Sequence, residues 1–346
     1  MPVTIVVGGQ FGSEGKGKVA HYLAKTMNAD VAVRVGGSNS GHTVIDEFGM
    51  PRIFRHLPTA SILNDVICIL ATGSYINLKV LYDEIKSTNL TPDRLIIDPQ
   101  TMIISEDDIK NERKCGLTEN IGSTASGTGK AVIRRVNRIK TTILAKDIDE
   151  LKPYVKPAIS FMRQILNNGK RIIIEGTQGY GLSLLHSTYY PYTTSRDTTA
   201  AGFLSETGLS PLDVDEVVLV IRTFPIRVAG NSGPLEREID WDQITMISNS
   251  IAPIIEYTSV TKKIRRVAHF HPSIVRDSIA VNNPTSIVLN HIDFVDYNCV
   301  KENLITAKAH LFIKNIESQI ERKIDYIGFG PGSIVSKNIS MKYHIG

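Results

Sequence analysis

Val3-Thr4-Ile5-Val6-Val7 runs directly into Gly8-Gly9-Gln10-Phe11-Gly12-Ser13-Glu14-Gly15-Lys16-Gly17-Lys18, and a helical pattern resumes at Val19-Ala20-His21-Tyr22-Leu23-Ala24. The opening run is short and β-branched, as a strand buried on both faces of a parallel sheet should be. Strand, glycine loop and helix, in that order, are the setting of a phosphate-binding loop. Glycines let backbone N–H groups turn onto phosphate oxygens, the helix N-terminus adds partial positive charge, and lysine neutralises the β- and γ-phosphates. Gly12 to Gly17-Lys18 fits the G-x-x-x-x-G-K spacing, but Val19 stands where a magnesium-binding Ser or Thr would follow. A glycine-rich turn without a ligand is the plainer alternative.

Outward from this loop, strand signals recur between helical stretches. They predict an α/β fold with a mainly parallel central sheet flanked by helices. Expected strands are 3–8, 31–35, 66–71, 95–98, 171–175, 216–221, 286–290 and 324–328. Expected helices are 16–27, 77–87, 146–168 and 301–321. No repeat, low-complexity tract or linker divides the chain, so 1–346 reads as a single domain carrying inserted substrate loops. The polar region 100–145 stands apart. Its Gly122-Ser123-Thr124-Ala125-Ser126-Gly127-Thr128-Gly129 stretch is too glycine-rich for a helix, and it reads either as a mobile loop or as a phosphate cradle.

Composition bounds the function. The 346 residues are 42% apolar and have a mean hydropathy of −0.03, which describes a soluble globular chain with ample core. A net charge of +4 gives no nucleic-acid footprint but suits anionic small substrates. Cys68, Cys115 and Cys299 are odd in number and in no metal spacing, as expected of reduced thiols in a cytoplasmic protein. No cationic lead precedes the first apolar segment, and no apolar run approaches the ~18 residues of a membrane span. Neither export nor membrane anchoring is expected.

Several further segments are too polar and too specific for core. Arg34-Val35-Gly36-Gly37-Ser38-Asn39-Ser40-Gly41-His42-Thr43 follows the second strand, where α/β sheets place ligand groups. A histidine beyond a glycine pair and Gly41 at a strand end favours chemistry over structure. Glu175-Gly176-Thr177-Gln178-Gly179 also ends a strand in glycines and an amide. Tyr190-Pro191-Tyr192-Thr193-Thr194-Ser195-Arg196-Asp197-Thr198-Thr199 is dense in hydroxyl donors. Thr261-Lys262-Lys263-Ile264-Arg265-Arg266 packs four cations into six residues, either a solvated patch or a carboxylate clamp.

Taken together, these segments resemble adenylosuccinate synthetase almost end to end. That family's loop reads Gly-Asp-Glu-Gly-Lys-Gly-Lys, its second loop Gly-Gly-x-Asn-Ala-Gly-His-Thr, and a later segment Glu-Gly-x-Gln-Gly. Tyr190-Pro191-Tyr192 with Thr198-Thr199-Ala200 matches its Tyr-Pro-Tyr…Thr-Thr-Ala loop. The short length and Phe224-Pro225-Ile226-Arg227-Val228-Ala229-Gly230-Asn231-Ser232-Gly233-Pro234 lean toward the compact archaeal-like branch. The resemblance implies a P-loop-like fold and a ligase that phosphorylates the C6 oxygen of a purine monophosphate, then displaces phosphate with the amine of L-aspartate. It implies triphosphate binding by Gly12, Ser13, Glu14, Gly15, Lys16, Gly17, Lys18, Gly41, His42 and Thr43, with Asp293, Gly330 and Gly332 at the base. Lys16 and Lys18 would neutralise phosphate, His42 would be the general acid, and Ser13 and the Gly41 carbonyl would hold Mg²⁺. Ser13, Asn39, Ser123, Thr124, Gln178 and Thr194 map onto the monophosphate site. Arg138 matches an arginine donated across a homodimer interface. Thr258, Thr261, Lys263 and Arg265 map onto the aspartate loop, with Lys263 replacing the family's arginine, so that a bidentate contact becomes a point charge.

The departure with the largest chemical consequence is Ser13, which stands where the family has the aspartate thought to take the purine N1 proton. Serine is no comparable base at neutral pH and a weaker metal ligand. Three readings follow: a non-catalytic nucleotide-binding protein, an adenylosuccinate synthetase acting on IMP with a water-relayed proton, or a changed substrate. A bacteriophage branch resembling the family carries a small residue here and acts on dGMP, making N6-succino-2-amino-2′-deoxyadenylate. A small hydroxyl leaves room for guanine's 2-amino group, and this third reading is favoured. The family reads GTP through Thr-Lys-x-Asp, whereas this chain has Asn290-His291-Ile292-Asp293. With the lysine lost and the phage branch associated with ATP, ATP is the expected donor and GTP stays open.

Overall fold

The computed structural model describes residues 2–258 and 262–337. Nine strands form one central sheet, in the order Ser333–Ser336, Tyr326–Phe329, Ser286–Asn290, Val214–Arg222, Val3–Gly8, Ile172–Glu175, Val31–Arg34, Ile67–Leu70 and Leu95–Ile97. Every neighbouring pair is parallel except the edge pair Tyr326–Phe329 with Ser333–Ser336. The Val3–Gly8 strand lies at the centre and is buried along its whole length.

Alternation on that strand explains its β-branched run. Val3, Ile5 and Val7 join the larger core with Phe203, Leu219 and Ile174, while Val6 faces Val19, Ala20 and Leu23 of the Lys16–Thr26 helix on the other side. Both faces are covered, so every position favours an apolar, stiff side chain. Because all the central strands run the same way, their carboxyl ends meet on one edge, where open α/β sheets bind ligands. The loops after Gly8, Arg34, Glu175, Arg222 and Asn290 all emerge there.

Two expected helices are shorter than their apolar patterns. The 146–168 stretch is helical only over Ala158–Asn167. Before that it forms short 3₁₀ turns, because Pro153 and Pro157 interrupt the hydrogen-bond ladder. The 301–321 stretch divides into Asn298–Glu302 and Ala307–Ile320, broken by the left-handed Asn303 and restarted by Thr306, whose hydroxyl accepts from the Ala309 amide. Region 100–145 is not one loop. It holds helices Glu106–Lys114, Leu117–Ile121 and Thr128–Val136, and the glycine stretch turns helical from Thr128. Among the described residues the cysteines are unpaired, and no helix is long and apolar enough to cross a membrane.

Candidate active site

The first loop is braced from within. Gly12, Ser13 and Gly15 take φ values of 88°, 57° and 87°. A Cβ on Gly15 would come 2.6 Å from the Asn290 amide nitrogen, so both conformation and space require glycine. Glu14 is fully buried. One carboxylate oxygen accepts from the Gln10 and Gly12 amides at 3.1 and 2.8 Å, and the other pairs with Lys16 Nζ at 2.6 Å. Asn290 Nδ2 donates to the Glu14 carbonyl at 2.7 Å, and Arg222 Nη1 donates to the Ser13 carbonyl at 2.9 Å. With these two carbonyls held by protein donors, the amides at the start of the Lys16–Thr26 helix form the anion-facing edge. The Ser13 side chain is exposed and has no hydrogen-bond partner among the described residues.

The second loop carries His42 into a buried charge network. Its Nδ1 lies 2.6 Å from Glu175 Oε1, and Arg34 Nη1 pairs with the same oxygen. The other Glu175 oxygen accepts from the Thr59 amide and hydroxyl at 2.8 and 2.7 Å. Burial alone would raise the Glu175 carboxyl, but Arg34 and the His42 bond outweigh it and hold the group at about 2. Burial and then Arg34 push His42 down to about 3, so the imidazole is neutral at working pH. Arg34 Nη1 also lies 2.6 Å from Nδ1, so that nitrogen is occupied within the buried network and Nε2 is the one left for a substrate. Gly17 permits this packing, since a Cβ there would meet His42 Cβ at 2.8 Å.

A cavity of about 1090 Å³ joins these loops. Gly12, Ser13, Gly15, Lys16, Gly17, Asn39, Gly41, His42 and Thr43 line it from the phosphate side. Ser123, Thr124, Gln178 and Thr194 line it from the expected monophosphate side, and Thr258, Lys263 and Arg265 from the aspartate side. Thr261 lies outside the described residues. Six expected site residues do not line the cavity. Glu14 is turned into its own loop, as above. Lys18 points behind it: its Nζ donates to the Gly330 carbonyl at 3.1 Å, and burial lowers it to about 8 against the pull of Asp293. Lys18 therefore groups with Asp293 and Gly330 rather than with the cavity-lining Lys16. Arg138 is exposed beyond the Thr128–Val136 helix, with a φ of 53°.

Sequence reasoning named neither Arg222 nor Glu256. Arg222 is fully buried at the end of the long central strand. Its Nη1 also donates to Glu256 Oε2 at 3.2 Å, while Nη2 pairs with Glu256 Oε1. The only local signal was a cation terminating a β-branched strand. Glu256 in turn sits opposite Arg265 across a narrow hairpin closed by the Arg265 amide on the Glu256 carbonyl at 2.9 Å. Among the described residues no three metal-ligating side chains cluster. Ser13 and Gly41 both line the cavity, where a cation held by them would need phosphate oxygens to complete its shell, as magnesium has in triphosphate sites.

The model of the adenylosuccinate synthetase family matches residues 5–148 and 139–301. Adenylosuccinate synthetase of Methanocaldococcus jannaschii is 37% identical over 336 residues, covering 95% of this chain and 94% of that one. The Archaeoglobus fulgidus enzyme is 34% identical over 339 residues, covering 96% of each. Among solved structures, cyanophage S-2L succinoaminodeoxyadenylate synthetase (PurZ), bound to dGMP and to dATP as an energy donor, superposes with a TM-score of 0.83 at 28% identity. That match covers 99% of this chain and 97% of the other. A parallel sheet with a P-loop-like first turn, the His42 loop and end-to-end similarity converge: the chain belongs to the adenylosuccinate synthetase family of ligases, which join a purine to aspartate.

Proposed function

We propose that the chain condenses L-aspartate with dGMP at C6, using ATP, through a 6-phosphoryl intermediate, to give N6-succino-2-amino-2′-deoxyadenylate. The observation that carries this reading is residue 13. It presents a short, exposed hydroxyl to the cavity, and no carboxylate of the same loop replaces it, because Glu14 is buried against Lys16 and two backbone amides. Room beside the purine N1 suits a base with a 2-amino group. The similar phage enzyme, solved with dGMP and with dATP as energy donor, supports the guanine base and an adenine rather than a guanine donor.

In this mechanism Lys16 and the loop amides neutralise the transferring phosphoryl group, which is most of what phosphoryl transfer requires. His42 Nε2 contacts the reacting oxygens, and phosphate charge beside it raises its affinity for a proton above that of the free protein. Ser123, Thr124, Gln178 and Thr194 hold the monophosphate nucleotide. Lys263 and Arg265 hold the aspartate carboxylates, while Asp293, Gly330 and Gly332 receive the donor base. Ser13 and Gly41 would hold magnesium together with the phosphates, and the ion would supply charge neutralisation there. Arg138 serves a neighbouring subunit of a homodimer; exposed Ile133, Val136, Ile139 and Ile143 around it supply an apolar surface for that contact.

The archaeal relatives favour a second reading, adenylosuccinate synthetase acting on IMP with GTP. Phosphate release from purified protein with dGMP, GMP, IMP or dIMP, each with ATP or GTP, separates the two. The proposal expects dGMP with ATP to be used best. It also expects Ser13→Asp to lose on the order of 10- to 100-fold in dGMP use. Equal or better use of IMP by the unmodified protein would restore the second reading.

A further inference from the structure

We infer that Glu256 is the subsite for the α-ammonium group of L-aspartate. The inference rests on the purine–aspartate ligation above and assigns a residue to the one charged group of that substrate still without a partner. L-aspartate carries two carboxylates and one ammonium. Lys263 and Arg265 line one end of the cavity and complement the carboxylates, but two cations cannot hold a third positive charge. An acceptor must stand among them, close to the reacting edge of the purine.

Glu256 meets both conditions. It lines the same cavity and sits across the hairpin from Arg265, whose Nε is 3.9 Å from Glu256 Oε2. Arg222 Nη1 touches both the Ser13 carbonyl at 2.9 Å and Glu256 Oε2 at 3.2 Å. One guanidinium nitrogen thus separates the carboxylate from the residue assigned to the purine N1 edge. An amine resting on Glu256 is delivered beside C6. The carboxylate has capacity to spare: it offers about four lone-pair positions, Arg222 takes two, and the side chain keeps 21% of its surface exposed. Burial works against its charge but Arg222 outweighs it, so the group is an anion at any working pH.

The other cavity carboxylates fit less well. Glu112 is buried and accepts from the Gly127 and Gly129 amides. Glu119 is exposed on the Leu117–Ile121 helix, an element remote in sequence from the cation hairpin. Glu256 acts here as a binding group. The ammonium loses one proton to solvent before attack and the new C6–N nitrogen a second one after it, while phosphate leaves C6 with its bonding electrons as the C–N bond forms.

Succinate has the two carboxylates of aspartate and no amine, so it isolates the claim. In Glu256→Gln, KM for aspartate should rise on the order of 10- to 100-fold, as for loss of a charge-assisted hydrogen bond. Inhibition by succinate should stay within about threefold of the unmodified protein, which also reports that the site is folded. Glu256→Asp should recover part of the aspartate affinity. Parallel loss of aspartate and succinate binding would show that Glu256 only positions Arg222 and Arg265, and would overturn the inference. Unchanged aspartate KM would overturn it equally. The base preference of the unmodified protein is measured separately, so a preference for IMP would remove the dGMP reading and leave this one standing.

Discussion

The expected phosphate end of the cavity is wired through buried ion pairs, whereas the expected aspartate end adds to one such pair, Arg222 with Glu256, lysines that are open to solvent. Lys16 and Glu14 are 1% and 0% exposed, and Arg34 and Glu175 are 2% and 1% exposed. Lys262 and Lys263 are exposed, on a hairpin held chiefly by backbone bonds and the Thr258 hydroxyl. The contrast follows the chemistry. Stabilising a transferring phosphoryl group needs dipoles and charges fixed before the substrate arrives, in a site of low dielectric. Recognising a small, flexible dicarboxylate tolerates mobile point charges that settle on contact.

The largest effect expected from breaking this contrast is on folding. Glu175→Gln leaves Arg34 buried without its counter-ion and should cost about 3–5 kcal/mol of stability. Urea unfolding followed by circular dichroism would show it, and a loss below about 1 kcal/mol would mean that the network is replaceable. Next in size is turnover. His42→Ala should lower kcat by at least ~10²-fold while triphosphate still binds; near-normal kcat would remove His42 from the reaction.

A pH series sharpens the same comparison. His42 stays neutral down to about 3, while an unfolded imidazole takes a proton near 6.5. The unfolded chain therefore binds the extra proton between those values, and stability falls as pH drops through that window. Glu175 adds to the loss from its ordinary value of 4.5 down to about 2, where its folded carboxylate is finally protonated. The urea midpoint should decline from pH 6.5 to 3, more shallowly below 4.5 in Glu175→Gln. A midpoint constant from pH 6.5 to 4 would contradict the network. The smallest stability effect belongs to the open end: Lys263→Ala should change stability by no more than about 0.5 kcal/mol while raising KM for aspartate.

Eight of the nine sheet strands were legible because most are β-branched or aliphatic runs buried on both faces, whereas the half-buried edge strand Ser333–Ser336 gave no such signal. The 16–27 prediction likewise held because the Lys16–Thr26 helix begins at a glycine turn. The 146–168 prediction overreached because apolar spacing outvoted Pro153 and Pro157. In the site, the glycine-flanked loops announced themselves through local composition. What stayed hidden was pairing over distance. Arg34 and Glu175 are 141 positions apart, and Arg222 meets Glu256 only through the register of the hairpin against the sheet. Nor could spacing show that Lys16 faces the cavity while Lys18, two residues later on a helix, turns behind it.

Among the described residues, Ser13 is held by its backbone and by nothing else. Its carbonyl is gripped by Arg222, its neighbours supply the glycine conformations, and its own left-handed φ is one that aspartate and asparagine also accept. The loop is therefore a fixed socket with an exchangeable tip. A single codon change at position 13 can alter the charge and size shown to the cavity while the loop around it keeps its shape. In evolutionary terms the scaffold carries no memory of which side chain last stood there, so the chemistry of this tip can drift without first crossing a barrier in folding.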